Sequence, residues 1–167
     1  MPGAIETVLS ELVLSHVRFV VVGGVAVVMH GHPRFTADLD LALDLTPANL
    51  AKAQRCFDGL GYSPRVPVRL AELASAEVRQ RLVTEKSMTV LSLASERFRV
   101  LEVDVFVEPP FIFEEAWAEG VHVQLERVTV PVVSVKRLIA MKRAVGRPRD
   151  LEDIKALESL SVGRVDV

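Results

Sequence analysis

The spacing of apolar residues changes along the chain between a helical period and a strand period. Apolar positions at helical spacing predict a first helix over about residues 3–15, whereas DLDLALDL (38–45) alternates strictly, as a strand with one apolar face does. The predicted helices cover about residues 3–15, 25–30, 47–60, 70–81, 111–120, 135–145 and 149–160. The predicted strands lie within residues 18–22, 38–45, 88–94, 98–107 and 122–133, with a hairpin around Ser95–Glu96.

The order of these elements predicts an α/β (α+β) fold. Strands and helices alternate, but some strands follow each other directly, which favours a mixed β-sheet flanked by helices. A length of 167 residues suggests a single domain, 1–167, with a core over about 15–133 and a C-terminal helical pair over 134–160. The hydrophobic fraction of 50% argues against disorder.

Charge and cysteine content exclude several classes of protein. With 20 basic and 22 acidic side chains, the formal net charge is −2, so the chain does not coat nucleic acid by bulk charge. Cys56 is the only cysteine, which leaves no disulfide framework and no thiolate zinc site. The N-terminal stretch carries Glu6 and Glu11, unlike a signal peptide, and no apolar run is long enough to span a membrane. These features predict a cytoplasmic protein.

Carboxylates on the alternating strands are the strongest candidates for chemistry. Asp38 and Asp40 share one face of a strand, with Cα atoms roughly 6–7 Å apart, so together they could hold divalent cations. Asp104, in the middle of LEVDVFV (101–107), is the best third carboxylate, and Glu102 is the alternative. The same alternation is also typical of a half-exposed strand without a metal.

A glycine pair follows the first predicted strand. Gly23 and Gly24 could present backbone N–H groups to a phosphate, although a tight turn between strand and helix would need the same residues. The chain has no Gly-Lys-Ser/Thr triplet of a P-loop. The dinucleotide fingerprint also fails, because Val25 and Val28 stand where its second and third glycines are required.

Several polar residues near these motifs could either bind a ligand or have an ordinary structural role. Arg34 could clamp a phosphate with its forked guanidinium or lie on the surface, and Thr36 comes just before the aspartates. His30 and His32 are expected as a helix-end cap or an exposed pair rather than metal ligands. The only dense basic patch is Lys142–Arg149, and the acids that follow it, Asp150 and Asp153, either begin a helix or orient these arginines.

Taken together, Gly23–Gly24, Asp38-Leu39-Asp40 and Asp104 resemble the signature of polymerase-beta-like nucleotidyltransferases. Three longer segments look like the minimal nucleotidyltransferases related to the toxin of type IV (abortive-infection) toxin–antitoxin systems. These segments are GGVAVVMHGHPRFTADLDLAL (23–43), LEVDVFVE (101–108) and LIAMKRAVGRPRDLEDIKAL (138–157).

The resemblance implies roles for individual residues. Asp38, Asp40 and Asp104 would bind Mg²⁺ (or Mn²⁺), and Asp104 would help to activate the acceptor hydroxyl. The triphosphate would be held by Gly23 and Gly24, and its charge would be neutralised by Lys142 and Arg147. Arg34 and Thr36, just before the aspartates, are further candidates for binding the substrate on their own chemistry.

The leading hypothesis is a magnesium-dependent nucleotidyltransferase that moves a nucleoside monophosphate from a triphosphate to an RNA 3′ end (tRNA-like) or a protein hydroxyl. A cognate antitoxin protein is an expected partner. The alternative is a non-catalytic regulator of the same fold that binds a nucleotide or a protein, because toxins of this kind usually continue into further helices whereas this sequence stops soon after Leu160. A dinucleotide binder is a third hypothesis.

Overall fold

The computed structural model describes residues 3–165, except for the side chains of 164 and 165. The helices are α1 (Ala4–Leu14), α2 (Gly23–Met29), α3 (Pro47–Gly59), α4 (Ala76–Lys86), α5 (Phe113–Glu119), α6 (Val135–Val145) and α7 (Pro148–Val165), with a 3-10 helix at Leu70–Ala74. The strands are β1 (Phe19–Val22), β2 (Asp38–Leu43), β3 (Tyr62–Pro64), β4 (Val90–Ser95), β5 (Glu102–Phe106), β6 (Val121–Gln124) and β7 (Thr129–Val132). No helix in this part of the chain is long and apolar enough to span a membrane.

All seven strands of residues 3–165 form one mixed sheet. Their order is β3-β4-β5-β2-β1-β7-β6. The pairs β2–β5 and β1–β7 are parallel, and the other neighbours are antiparallel. This architecture confirms the predicted α/β class with a mixed sheet and flanking helices.

Alternation decides which face of the central strands is apolar. Leu39, Leu41 and Leu43 of β2 are fully buried in the core, whereas Asp38 and Asp40 on the opposite face are only partly buried. In β5, Val103 and Val105 are likewise fully buried. Burial of a leucine or valine side chain stabilises the fold by about 1.5–3 kcal/mol, so this pattern fixes the face on which the acids lie.

The predicted charged helix over 70–81 is wrong in its bounds. The chain forms the 3-10 helix, breaks at Ser75, and continues as α4 to Lys86. Ser75 has extended backbone angles, and its hydroxyl accepts a hydrogen bond of 3.3 Å from the backbone N–H of Val78. Serine therefore acts as a helix N-cap here and starts a new helix instead of continuing the old one.

The predicted hairpin between β4 and β5 is present, but β5 starts later than expected. The Oγ of Ser95 accepts hydrogen bonds from the backbone N–H groups of Arg97 and Phe98, at 3.1 and 3.4 Å, and this turn delays the second strand until Glu102. The short strand β3, which pairs with β4, was not predicted. Three residues are too few to show a strand period.

His30 is the C-cap residue of α2, which confirms the predicted helix-end cap, but it is buried, so the alternative of an exposed histidine pair is wrong for this residue. Only 3% of His30 is exposed, and its Nε2 donates a hydrogen bond of 2.7 Å to the carbonyl oxygen of Val133. The side chain therefore ties the end of α2 to the chain just after β7.

Candidate active site

Two carboxylates face each other across a parallel strand pair at the centre of the sheet. The register of β2 and β5 places Asp40 opposite Asp104 and Asp38 opposite Glu102. Neighbouring strands lie about 4.8 Å apart, and paired residues project from the same face. The fold therefore brings together all four carboxylates that the sequence singled out on these strands.

Gly23 begins α2 directly beside Asp40. Its φ of +65° lies in the left-handed region, which favours glycine. A Cβ atom on this residue would lie 2.7 Å from Cγ of Asp40, closer than side chains tolerate. The glycine is therefore required both for the backbone conformation and for the close approach of the carboxylate.

Gly24 contacts the segment that leads into β2. A Cβ atom on it would lie 2.8 Å from Nη2 of Arg34 and 2.8 Å from Oγ1 of Thr36. Thr36 also donates a hydrogen bond of 3.2 Å to the carbonyl oxygen of Asp38. The glycine turn thus lies between Asp40 on one side and the pair Arg34 and Thr36 on the other.

Burial and mutual repulsion disfavour the charged forms of the central acids. Burial, followed by the charges of Asp104 and Asp38, raises the pKa of Asp40 to about 6. Burial also raises the pKa of Asp104, and the Ser92 hydroxyl, which donates a 2.6 Å hydrogen bond to its Oδ1, partly offsets that rise. Pairs of acids with perturbed pKa values are typical of functional sites.

The predicted basic residues are close to these acids, but each is also bound to an acid of α7. Lys142 is 6% exposed, and its Nζ lies 3.3 Å from Asp150 and 2.9 Å from Asp153. Arg147 donates a 2.9 Å hydrogen bond through Nε to Asp150. The charges of Lys142 and Arg147 lower the pKa of Asp40, which places both near the carboxylates.

Arg34 is joined to the same helix. Its Nη2 donates a 3.0 Å hydrogen bond to Oδ2 of Asp153, and its Nε lies 3.0 Å from Oδ1. Both interpretations of these acids therefore hold, because Asp150 lies in the first turn of α7 and both Asp150 and Asp153 bind the basic residues.

Two polar residues at this face were missed by the sequence analysis. Ser92 of β4 pairs with Asp104 across the sheet. Arg65, just after β3, forms an ion pair with Glu102, and its charge lowers the pKa of Asp104. Ser92 could have been found from the alternation of VLSLAS, which puts it on the polar face of its strand, but Arg65 lies in a segment without any period.

The oxygen atoms of this face suit a hard divalent cation. Within residues 3–165, no group of three or more His, Cys, Asp or Glu side chains is arranged to hold a metal ion unaided. Mg²⁺ is usually bound by one or two carboxylates, and water and substrate phosphates complete its coordination. Asp38, Asp40 and Asp104 supply enough carboxylates for this ion. A cation there would also offset the burial and the repulsion that raise the pKa of Asp40.

Solved structures of nucleotidyltransferases share the fold. The lincosamide antibiotic adenylyltransferase LnuA, bound to lincomycin, superposes with a TM-score of 0.63 at 16% identity over 93% of this chain and 95% of its own. The structure of ANT(2")-Ia with adenylyl-2"-tobramycin gives a TM-score of 0.59 at 13% identity over 97% and 93% of the two chains. At these identities the likeness concerns the fold.

Sequence comparison places the chain in a family. No curated protein matches it by sequence. The family model described as "Nucleotidyl transferase AbiEii toxin, Type IV TA system" matches residues 7–166, which is nearly the whole chain and includes every residue of the candidate site. The chain therefore belongs to the AbiEii nucleotidyltransferase family, and it is an enzyme of the nucleotidyltransferase class.

Proposed function

We propose that this nucleotidyltransferase moves a nucleoside monophosphate from a nucleoside triphosphate to an RNA 3′ end (tRNA-like) or to a protein hydroxyl, with Mg²⁺ (or Mn²⁺) as cofactor. The observation that carries the proposal is the position of Asp40, which is opposite Asp104 and in contact with Gly23. The acids that would bind the cation therefore lie next to the glycine turn that would bind the phosphates.

The three aspartates would supply the acidic side of the site. Asp38, Asp40 and Asp104 would hold the cation, which neutralises phosphate charge and stabilises the oxygens of the attacking and leaving groups. Asp104 would also accept the proton of the acceptor hydroxyl, and a raised pKa makes it a better base near neutral pH. Ser92 would orient Asp104 through their hydrogen bond.

The glycine turn and nearby cations would hold the triphosphate. Backbone groups of Gly23 and Gly24 and the hydroxyl of Thr36 offer close contacts to phosphate oxygens. The cluster of Arg34, Lys142 and Arg147 contains three cations and the two carboxylates of Asp150 and Asp153, which leaves one net positive charge. This excess favours a polyanionic substrate beside the acidic strands.

Transfer from each α-³²P-labelled ribonucleoside triphosphate, with Mg²⁺, Mn²⁺ or EDTA, tests the reaction. Total RNA, tRNA and cell protein serve as acceptors, and lincomycin and tobramycin are added because the structural relatives are named with these compounds. The proposal expects label on RNA or protein, lost with EDTA and with Asp38→Asn or Asp104→Asn. The matched control is Asp58→Asn, an exposed acid of α3.

The possible outcomes separate the hypotheses. Magnesium-dependent binding of a triphosphate without transfer to any acceptor would replace the proposal with the non-catalytic regulator. Label on an antibiotic alone would change the acceptor class. The toxin role is tested by inducing the gene in cells, where growth should stop with the wild type but continue with Asp104→Asn, and where a cognate antitoxin should restore growth.

A further inference from the structure

One buried carboxylate binds two of the proposed phosphate-binding cations at once. Asp153 of α7 is 1% exposed. Its Oδ2 accepts a hydrogen bond of 3.0 Å from Nη2 of Arg34 and lies 2.9 Å from Nζ of Lys142. Arg34 precedes β2 and Lys142 lies in α6, so Asp153 joins two distant parts of the chain.

The Arg34 guanidinium is fixed at both ends. Nη1 donates a 3.0 Å hydrogen bond to the carbonyl oxygen of Phe35, and Nε and Nη2 face Asp153. The same Nη2 contacts Gly24, where a Cβ atom would lie 2.8 Å away. A planar fork held in this way keeps its charge at the glycine turn before any substrate binds.

The helix junction is tied to the same loop at a second point. Arg149 donates a 2.7 Å hydrogen bond to the carbonyl oxygen of Phe35. Asp150, which is 2% exposed, accepts hydrogen bonds from Lys142 and from the backbone N–H of Arg147, at 3.3 and 3.1 Å. The start of α7 therefore fixes Arg34, Lys142 and Arg147 relative to one another.

We propose that Asp153 is a positioning residue, which holds Arg34 and Lys142 at the Gly23–Gly24 turn so that both cations meet the triphosphate in a fixed arrangement. This inference rests on the proposed function, in which these cations bind the triphosphate. Side chains that are ordered before binding lose less entropy when the ligand arrives, so the arrangement raises affinity. A purely structural ion pair would affect folding but not the affinity of the folded protein.

A double-mutant cycle on triphosphate affinity tests the inference. The variants are Arg34→Gln, Asp153→Asn and the double variant, and the affinity for each of ATP, GTP, CTP and UTP with Mg²⁺ is measured by calorimetry without an acceptor. If Asp153 acts through Arg34, each single substitution weakens binding by about 10-fold to 100-fold, the size expected for a charged hydrogen bond. The double variant is then weaker than Arg34→Gln alone only by the smaller part that acts through Lys142, so the effects of the two substitutions are not additive.

Three further measurements keep the test decisive. Glu158→Gln removes the surface ion pair of α7 with Arg143 and should leave affinity unchanged. Asp153→Glu keeps a carboxylate beside the charges of Arg34 and Lys142, so the protein should still fold. Its longer side chain displaces the Arg34 guanidinium, so the affinity for the triphosphate should fall several-fold. Thermal unfolding of every variant confirms that the folded protein is being measured.

The results distinguish this inference from the proposed function. A wild type that binds no triphosphate and transfers nothing would contradict the proposed function. A wild type that binds, together with fully additive effects or with an unchanged affinity in Asp153→Glu, would overturn the positioning role alone.

Discussion

Asp104 accepts a short hydrogen bond, 2.6 Å long, from the hydroxyl of Ser92 on the neighbouring strand. The pair is set by the antiparallel register of β4 and β5, which places these two residues directly opposite each other. A hydroxyl that donates to a carboxylate favours its charged form, so this bond lowers the pKa of Asp104 against the larger, opposite effect of burial.

Ser92→Ala is expected to move the pH dependence of transfer to higher pH. Without the hydrogen bond, the pKa of Asp104 rises further, and the acid is ionised at a given pH in a smaller fraction of molecules. The acidic limb of the rate profile should shift upward by about 0.5–1 pH unit, since one unit corresponds to about 1.4 kcal/mol, the typical size of such a bond. Initial rates of nucleotide transfer between pH 5 and 9 measure the shift.

The matched control for this change is Ser63→Ala. Ser63 is an exposed serine of β3, which is separated from the strand of Asp104 by β4, and its removal should leave the profile unmoved. An unchanged profile for Ser92→Ala as well would show that Asp104 is not the group whose ionisation limits the rate.

Gly23→Ala is expected to abolish most of the activity and to destabilise the protein. An alanine with φ near +65° is strained by about 1–3 kcal/mol, and its methyl group would displace the Asp40 carboxylate. Chemical denaturation measures the loss of stability, and the transfer assay should show a rate at least about 100-fold lower, the contribution of a well-placed catalytic group.

A second glycine provides the comparison. Gly59 ends α3, and a Cβ atom there would meet nothing within 4 Å. Gly59→Ala should be neutral or stabilising by up to about 1 kcal/mol, with full activity. If Gly23→Ala behaved like Gly59→Ala, the close contact between Gly23 and Asp40 would have no functional importance.

Local patterns and the resemblance grouped Asp104 with Asp38 and Asp40, but they did not predict the register that places these strands side by side. The alternation of DLDLAL placed Asp38 and Asp40 on one face because side chains of a strand point alternately to opposite sides. The pairing of Asp40 with Asp104 could not be predicted, because β5 lies beside β2 although α3, β3, α4 and β4 intervene in sequence. Register between distant strands depends on the whole core, not on either segment.

The environment of Lys142 was also not visible in the sequence. A lysine in the last turn of a helix is usually exposed, where it interacts favourably with the helix C-terminus. Here Gly146 adopts a φ of +68°, the chain turns sharply, and α7 packs against α6. This turn places Asp150 and Asp153 around Lys142, and it explains why the two acids orient cations as well as beginning a helix.

The contribution of Asp40 to the stability of the protein should fall as the pH rises from about 4 to 6 when divalent cations are absent, and the difference in unfolding free energy between the wild type and Asp40→Asn measures it. The pKa of Asp40 is raised from the ordinary range of an aspartate to about 6, so between these values the folded state binds more protons than the unfolded state. The slope of unfolding free energy against pH is then negative, and it vanishes above both pKa values. The effect is at most about 3 kcal/mol, because each pKa unit corresponds to about 1.4 kcal/mol.

Mg²⁺ should reverse this loss. The cation binds the ionised acids, so it is expected to raise the unfolding temperature more at pH 7.5 than at pH 4.5. Asp40→Asn should flatten the pH dependence and reduce the effect of Mg²⁺, whereas Asp58→Asn should change neither. An equal effect of Mg²⁺ on the wild type and Asp40→Asn at pH 7.5 would show that Asp40 does not bind the cation.

Asn49→Ala is expected to destabilise the fold without affecting nucleotide binding. Asn49 is 5% exposed and lies near the end of β2 that is remote from Asp38. Its side chain accepts a 2.8 Å hydrogen bond from the backbone N–H of Arg18 and donates to the carbonyl oxygens of Arg18 and Asp44, at 2.9 and 2.8 Å. Alanine would remove all three hydrogen bonds, although the Arg18 carbonyl would keep the one that it accepts from the backbone N–H of Asp44, and the loss should cost about 2–4 kcal/mol.

Denaturation by urea and calorimetric titration of the best-bound triphosphate separate the two effects of this substitution. The midpoint of unfolding should fall, while the affinity of the folded protein stays at the wild-type value because Asn49 touches none of the groups at the Gly23 turn. Lys52→Ala, an exposed change on the same helix, should alter stability by less than about 0.5 kcal/mol. A weaker affinity in folded Asn49→Ala would mean that the two ends of β2 are coupled and that the site is less rigid than the contacts of Asp40 and Gly23 imply.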